Sequence, residues 1–237
     1  DLSEAYPDAH AGLFNIGMLH TSLTGRPGHQ PYAPCTVDGL RSKGYDYWAL
    51  GHVHQREVVS EAPWIVFPGN LQGRHARELG EKGAEVVSVS GGAIQSVEHR
   101  ALDVVRWVQR EVDVSGAQNV DQVIERVTEG LLEERDRHGD RLVAARVTIV
   151  GRTEAHNVLV QDLVAHQERV RAALESADSD EERLWLEKVG FATSSTFDLD
   201  ALRAEEGPMG ELLRTLGEIA ADEEALASLA STLDGLA

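Results

Sequence analysis

From Tyr45 to Gln55 the chain reads Tyr-Asp-Tyr-Trp-Ala-Leu-Gly-His-Val-His-Gln, an apolar run that stops at one glycine and delivers two histidines. This stretch constrains the fold more than any other. A short apolar run bounded by a turn residue is a buried strand, and the end of a buried strand is a rigid place to mount a side chain. A second apolar run, Leu13 to Leu19, ends at His20. The composition of the chain would produce Gly-His-any-His only roughly 0.04 times by chance. An isolated histidine usually caps a strand or bonds nearby backbone. Three at the ends of apolar segments, His20, His52 and His54, point instead to metal ligation, for which neutral imidazole is a common donor. Two residues apart in extended chain, His52 and His54 diverge toward neighbouring positions rather than converge on one ion. That favours a two-metal centre, with cations ~3.5–4 Å apart holding the oxygens of a phosphoryl displacement. Such a pair needs carboxylates, and the acids nearest the motif are Asp46 and Glu57.

Around this motif the first hundred residues alternate between short strands and turns. Strands are expected at Leu13 to Leu19, Tyr45 to Leu50, Arg56 to Ser60, Trp64 to Phe67, Ala84 to Ser90 and Ala93 to Glu98. Thr21 to Pro34 is rich in Gly, Pro and polar residues and reads as a loop. Thr36 to Lys43 is a short helix capped by Thr36 and closed by Gly44. Beyond Ala101 the pattern changes to strand Val104–Val114, helix Asn119–His138, strand Arg141–Val150, helix Glu154–Leu174 and strand Leu184–Ala192, with Ser176 to Glu182 as a surface loop. From Asp198 the chain is rich in Ala, Leu and Glu. It carries one helical stripe through Leu212, Leu213, Leu216, Ile219 and Ala220 and another through Leu226, Leu229 and Leu233. The bland reading packs both stripes on the preceding unit; the alternative leaves one exposed for a partner.

The 237 residues carry 22 Lys and Arg against 40 Asp and Glu, a formal net charge of −18. Such a surface repels nucleic acid on average, so DNA binding needs a local basic patch, bound cations or a partner subunit. No apolar run reaches membrane-spanning length and no signal peptide is visible, so no membrane partner and a cytoplasmic location are expected. The single Cys35 excludes an internal disulfide framework and reads as a small buried residue. His10, His29, His99, His138, His156 and His166 lack ligand spacing and read as solvated or structural. In Gly69–His75, two glycines allow close backbone approach to a ligand. Asn70 could bond a ligand or a supporting group there, and Arg74 and His75 could neutralise phosphate.

Three segments carry a resemblance: Gly17-Met18-Leu19-His20, Tyr45 through His54, and Pro68-Gly69-Asn70-Leu71-Gln72-Gly73-Arg74-His75. They resemble the second half of a calcineurin-like metallophosphoesterase, and most of all the DNA repair exonuclease branch of SbcD-like and YhaO-like proteins. The likeness is strong from Gly17 to Arg100 and weaker over the following unit. It implies an α/β fold with three parts: a partial four-layer metallophosphoesterase β-sandwich core over 1–100, an α+β capping domain over 101–197, and a helical tail over 198–237. It also implies two divalent metal ions, with manganese the usual catalytic ion; His20 and His52 would bind one and His54 the other.

The family's earlier motifs, which supply the bridging aspartate and the catalytic acid, are not found ahead of His20. The chain is therefore expected to be the C-terminal portion of a longer nuclease or one piece of a split chain, inactive alone, and no catalytic residue is assigned. The intact protein would be a metal-dependent DNA exonuclease acting in DNA repair. Its expected partners are DNA and an SMC-like coiled-coil ATPase subunit, with a homodimer also open. Alternatives are a metallophosphatase or nucleotide phosphodiesterase of the same superfamily, and a non-catalytic accessory subunit that binds the ATPase.

Overall fold

A computed structural model describes residues 1–23, 32–197 and 199–222. Its first half is built on a four-stranded sheet of β1 (Ile16–His20), β2 (Tyr47–Gly51), β3 (Glu57–Glu61) and β4 (Trp64–Phe67). The strands lie in the order β1-β2-β4-β3, with β1, β2 and β4 parallel and β3 antiparallel at the edge. The helix α1 (Val37–Ser42) makes the crossover from β1 to β2, and Thr36 caps it by accepting the Gly39 N–H at 2.9 Å. A parallel strand covered on both faces reads as a continuous apolar run, which is why Tyr47 to Leu50 shows no alternation. Trp48 is fully buried, and its indole lies directly against Gly17. A Cβ on Gly17 would stand 2.3 Å from the ring, so only glycine lets β1 and Trp48 approach this closely.

Strand β1 starts later than the apolar run Leu13–Leu19 suggests. Asn15 donates its side-chain amide to the carbonyls of His10 and Leu13, and its backbone N–H to Asp46 at 2.7 Å. These local bonds hold the preceding residues in a turn. Asp46, one of the two acids nearest the histidine motif, is engaged here.

The hairpin β5 (Gly83–Ser90) and β6 (Ala93–Ala101) follows, turning at Gly91 and Gly92 with φ of 59° and 79°. Both residues of this tight turn sit in the left-handed region that glycine tolerates. The third sheet is β7 (Val105–Asp113), β8 (Leu142–Thr153) and β9 (Leu184–Ser195), all parallel and in that order. Helix α2 (Val120–Asp136) makes the first crossover, and α3 (His156–Gln161) with α4 (Leu163–Ala177) the second. Val123, Val127 and Leu131 of α2, with Val170 and Leu174 of α4, pack on Val143, Val147 and Ile149 to form a core separate from that around Trp48. The spacing of three and four residues places these positions on one helix face.

The continuous helix expected over Glu154–Leu174 is broken at Asp162, which ends α3 and caps α4 by accepting the Ala165 N–H at 2.9 Å. An Asp that offers the backbone an alternative hydrogen bond competes with the helix ladder. Helices α5 (Leu199–Ala204) and α6 (Pro208–Ala220) complete the described chain. The stripe Leu226, Leu229 and Leu233, the residue His29 and most of the Thr21–Pro34 loop lie outside the described residues. Among the described residues no helix is long and apolar enough to cross a membrane.

Candidate metal centre

Residues His20 and Gly51 are partners across the parallel pair β1–β2, so His20 and His52 leave the sheet side by side at the carboxyl ends of adjacent strands. That is where open α/β sheets hold ligands. The His20 Nε2 and His52 Nδ1 atoms lie 3.3 Å apart with the rings at 81°, and Tyr32 stacks on His52 at 5.6 Å while meeting His20 edge-on. The backbone of His52 has φ of 102°, a conformation side chains rarely adopt and one concentrated at functional sites.

Through Val53, buried in the core, the chain returns His54 to the same cleft of about 650 Å³, which is also lined by His75, Arg77, Glu78 and Lys82. The His54 Nδ1 lies 2.6 Å from the Glu78 Oε1. Burial alone would push the Glu78 carboxyl up, but hydrogen bonds from the Arg74 N–H, His54 and Asn70, with the charge of His54, lower it to about 2. An ionised carboxylate only accepts, so this hydrogen bond places a proton on Nδ1 of His54, and in the neutral imidazole Nε2 is then the nitrogen left for a metal. An imidazole whose second nitrogen is tied to a carboxylate is the usual arrangement of a metal-ligating histidine.

The loop from Gly69 to Glu78 builds the remainder. Gly69, at φ of 79°, sits where a Cβ would lie 2.9 Å from the His54 carbonyl, and the Asn70 N–H bonds that carbonyl at 3.3 Å. Asn70 gives its amide to Glu78 at 2.9 Å and does not line the cleft, so its contact is with the group that supports His54. Arg74 extends an exposed guanidinium with an Nη2 3.6 Å from Glu78, and His75 reaches within 3.8 Å of the same carboxylate. Lys82 is buried, its Nζ 3.4 Å from the His54 carbonyl; burial pushes its ammonium below the ordinary value against the pull of Glu78 and Asp103.

Sequence reasoning missed Tyr32, Arg77, Glu78 and Lys82. Arg77 and Glu78 follow the Arg-His pair of the loop after one alanine, so an acid closing a basic turn was the available signal. Tyr32 and Lys82 carried none. Among the described residues no group of three or more His, Cys, Asp or Glu is disposed to hold a metal ion. The donors present, two imidazoles in contact and a third supported by Glu78, fit the histidine part of a metal centre.

The loop also joins the two halves. Gln72 accepts the N–H groups of Val104 and Val105 at 2.9 and 3.1 Å, and Trp107 donates its indole N–H to the Gly73 carbonyl at 2.9 Å. The third sheet is thereby seated on the segment that carries Glu78.

Residues 107–194, running from within β7 to the end of β9, match the family model for the middle domain of metallophosphoesterase YhaO. The chain is 37% identical over 191 residues to the uncharacterized metallophosphoesterase YhaO of Bacillus subtilis (strain 168), an alignment that covers 80% of this chain and 46% of that protein. The chain thus spans less than half the length of the curated relative it matches.

Proposed function

We propose, from the match to the YhaO middle domain and the likeness to the Bacillus subtilis metallophosphoesterase, that the histidine cleft is part of a two-metal phosphodiesterase centre and that the protein works as a metal-dependent DNA exonuclease within a longer polypeptide. The observation that carries this reading is the contact of 2.6 Å between His54 Nδ1 and Glu78, which orients the ring and leaves Nε2 as the nitrogen available to a metal in the cleft shared with His20 and His52. His20 and His52 would share one divalent ion and His54 would hold the second, with manganese the expected metal. Bound there, the ions would lower the pKa of water and neutralise charge on a transferring phosphoryl group. The chain's own residues prepare that chemistry. Glu78 orients His54, while Asn70 and the Arg74 N–H keep the carboxylate ionised. Arg74 and Arg77 place positive charge, and His75 a hydrogen-bonding ring, near where a phosphate would approach.

A phosphatase or nucleotide phosphodiesterase would use the same centre. The basic loop favours a diester whose neighbouring phosphates also need neutralising. An SMC-like coiled-coil ATPase is the proposed partner, with the apolar stripe of α6 as its candidate contact.

The deciding assay supplies manganese to the longer polypeptide with linear duplex DNA, mononucleotides and bis(p-nitrophenyl) phosphate as parallel substrates. Release of nucleotides from duplex ends, abolished by chelator and reduced at least a hundredfold by His54→Ala with an unchanged circular dichroism spectrum, is expected. Full activity in His54→Ala would remove the ligand role, and hydrolysis confined to mononucleotides would replace the nuclease reading with the phosphodiesterase one.

A further inference from the structure

Helices α2 and α4 pack on one face of the β7-β8-β9 sheet, and among the described residues no helix covers the strip of its other face at Trp107 and Trp185. On that face Trp107, Ala144 and Trp185 are register partners across the three strands. Ala144 is small and fully buried, and the two indoles meet over it with centroids 5.9 Å apart at 72°. Trp107 is fixed from the other side by its bond to the Gly73 carbonyl. Trp185, near the start of β9, therefore rests on a pinned neighbour while remaining 50% exposed. A rigid, half-exposed indole is an unusual surface residue, because a tryptophan ordinarily buries most of its large apolar area.

We propose that Trp185 is a stacking platform for an unpaired nucleobase, seating a single-stranded segment of the substrate alongside the histidine cleft. The inference rests on the diesterase reading and deepens it by naming the form of nucleic acid that reaches the site. Charge selects the occupant. In a chain of net charge −18, the loop leaving Gly73 presents Arg74, His75 and Arg77 to solvent before its first acid, Glu78. On β9, exposed Lys188 follows Trp185 closely, while Arg146 of the neighbouring strand is held by Glu187 at 2.8 Å. A flat aromatic surface joined through Trp107 and Gly73 to a loop that carries two guanidinium groups matches a polyanion that also carries flat rings. A duplex hides the faces of its bases in the stack, so only an unpaired base can use the indole. The loop then links the two subsites: its Gly73 touches Trp107, and its Glu78 bonds His54.

The test measures binding, so its outcome is separable from that of the hydrolysis assay. The 237-residue chain is titrated with a short fluorescein-labelled oligothymidylate and with an abasic oligonucleotide of equal length, following anisotropy and tryptophan quenching. The proposal expects the wild-type chain to prefer the base-bearing strand by about tenfold, within the range of one base–aromatic stack. Trp185→Ala should bind both oligonucleotides at the abasic level, and Trp185→Phe should keep most of the preference. Equal affinity of the wild-type chain for the two oligonucleotides, or no binding of either, overturns the platform. So does a Trp185→Ala variant that retains the preference. Should that variant fail to fold, the wild-type comparison still decides. Hydrolysis of bis(p-nitrophenyl) phosphate by the longer polypeptide stands or falls independently of this result.

Discussion

At the scale of single residues the site is organised by an acid the motif did not announce. His52 and His54 are conspicuous in sequence, but the group that orients the His54 ring is Glu78, twenty-four positions later. Asp46, closer in sequence, is bonded to the backbone of Asn15 instead. Sequence distance to a histidine is thus a poor guide to its carboxylate, because the loop from Gly69 to Glu78 folds back over the His54 carbonyl. Replacing Glu78 by Gln keeps the shape and removes the charge. In the longer polypeptide it should weaken manganese binding by roughly ten- to a hundredfold, the usual effect of losing the carboxylate behind a ligating histidine. Isothermal titration checks this, and unchanged affinity would mean that Glu78 only pins the loop.

At the scale of elements, the strands and the long helix follow their hydrophobic periods, whereas the breaks follow individual hydrogen bonds. Helix α2 starts where Asn119 accepts the Gln122 N–H at 3.0 Å, a start that its sequence shows. The division of α3 from α4 depends on Asp162 accepting from Ala165, and the apolar pattern runs through it undisturbed. Removing this cap by Asp162→Ala should lower stability by about 1 kcal/mol, read from the urea midpoint at unchanged slope. A loss well below that would place the break in the packing of Leu159 against the core rather than in the cap.

At the scale of the whole molecule, a buried ion pair stands where the chain enters its second half, and its arginine, Arg106, reaches back to Glu81 of the first half at 3.5 Å. Asp103 is buried with Arg106, whose Nη2 lies 3.0 Å from its Oδ1, and Arg141 stands 3.5 Å away. Burial would raise the Asp103 carboxyl, but the Arg106 hydrogen bonds and charge, with Arg141, hold it below its ordinary value. A carboxylate with a depressed folded pKa contributes stability that is present above its unfolded value, about 4, and is lost as pH falls through the folded one. Urea midpoints should therefore be steady from pH 7 to 5 and fall below pH 4. Asp103→Asn should cost roughly 3–5 kcal/mol at pH 7 by stranding Arg106, and its stability should fall less steeply in acid. A variant with the wild-type acid slope would assign that slope to other carboxylates.

The sequence by itself determined the α/β class, the order of the strands along the chain and the placing of His20, His52 and His54 at strand ends. Those features are written in local periodicity and in the residues that stop it. Tertiary structure alone decided that the second unit's three strands run parallel, that His20 faces His52 while His54 turns to Glu78, and that Lys82 is buried beside them. These outcomes depend on contacts between residues distant in the chain, such as Gly17 against Trp48 and Gly73 against Trp107, and local pattern carries no record of which distant segment will fill a given space.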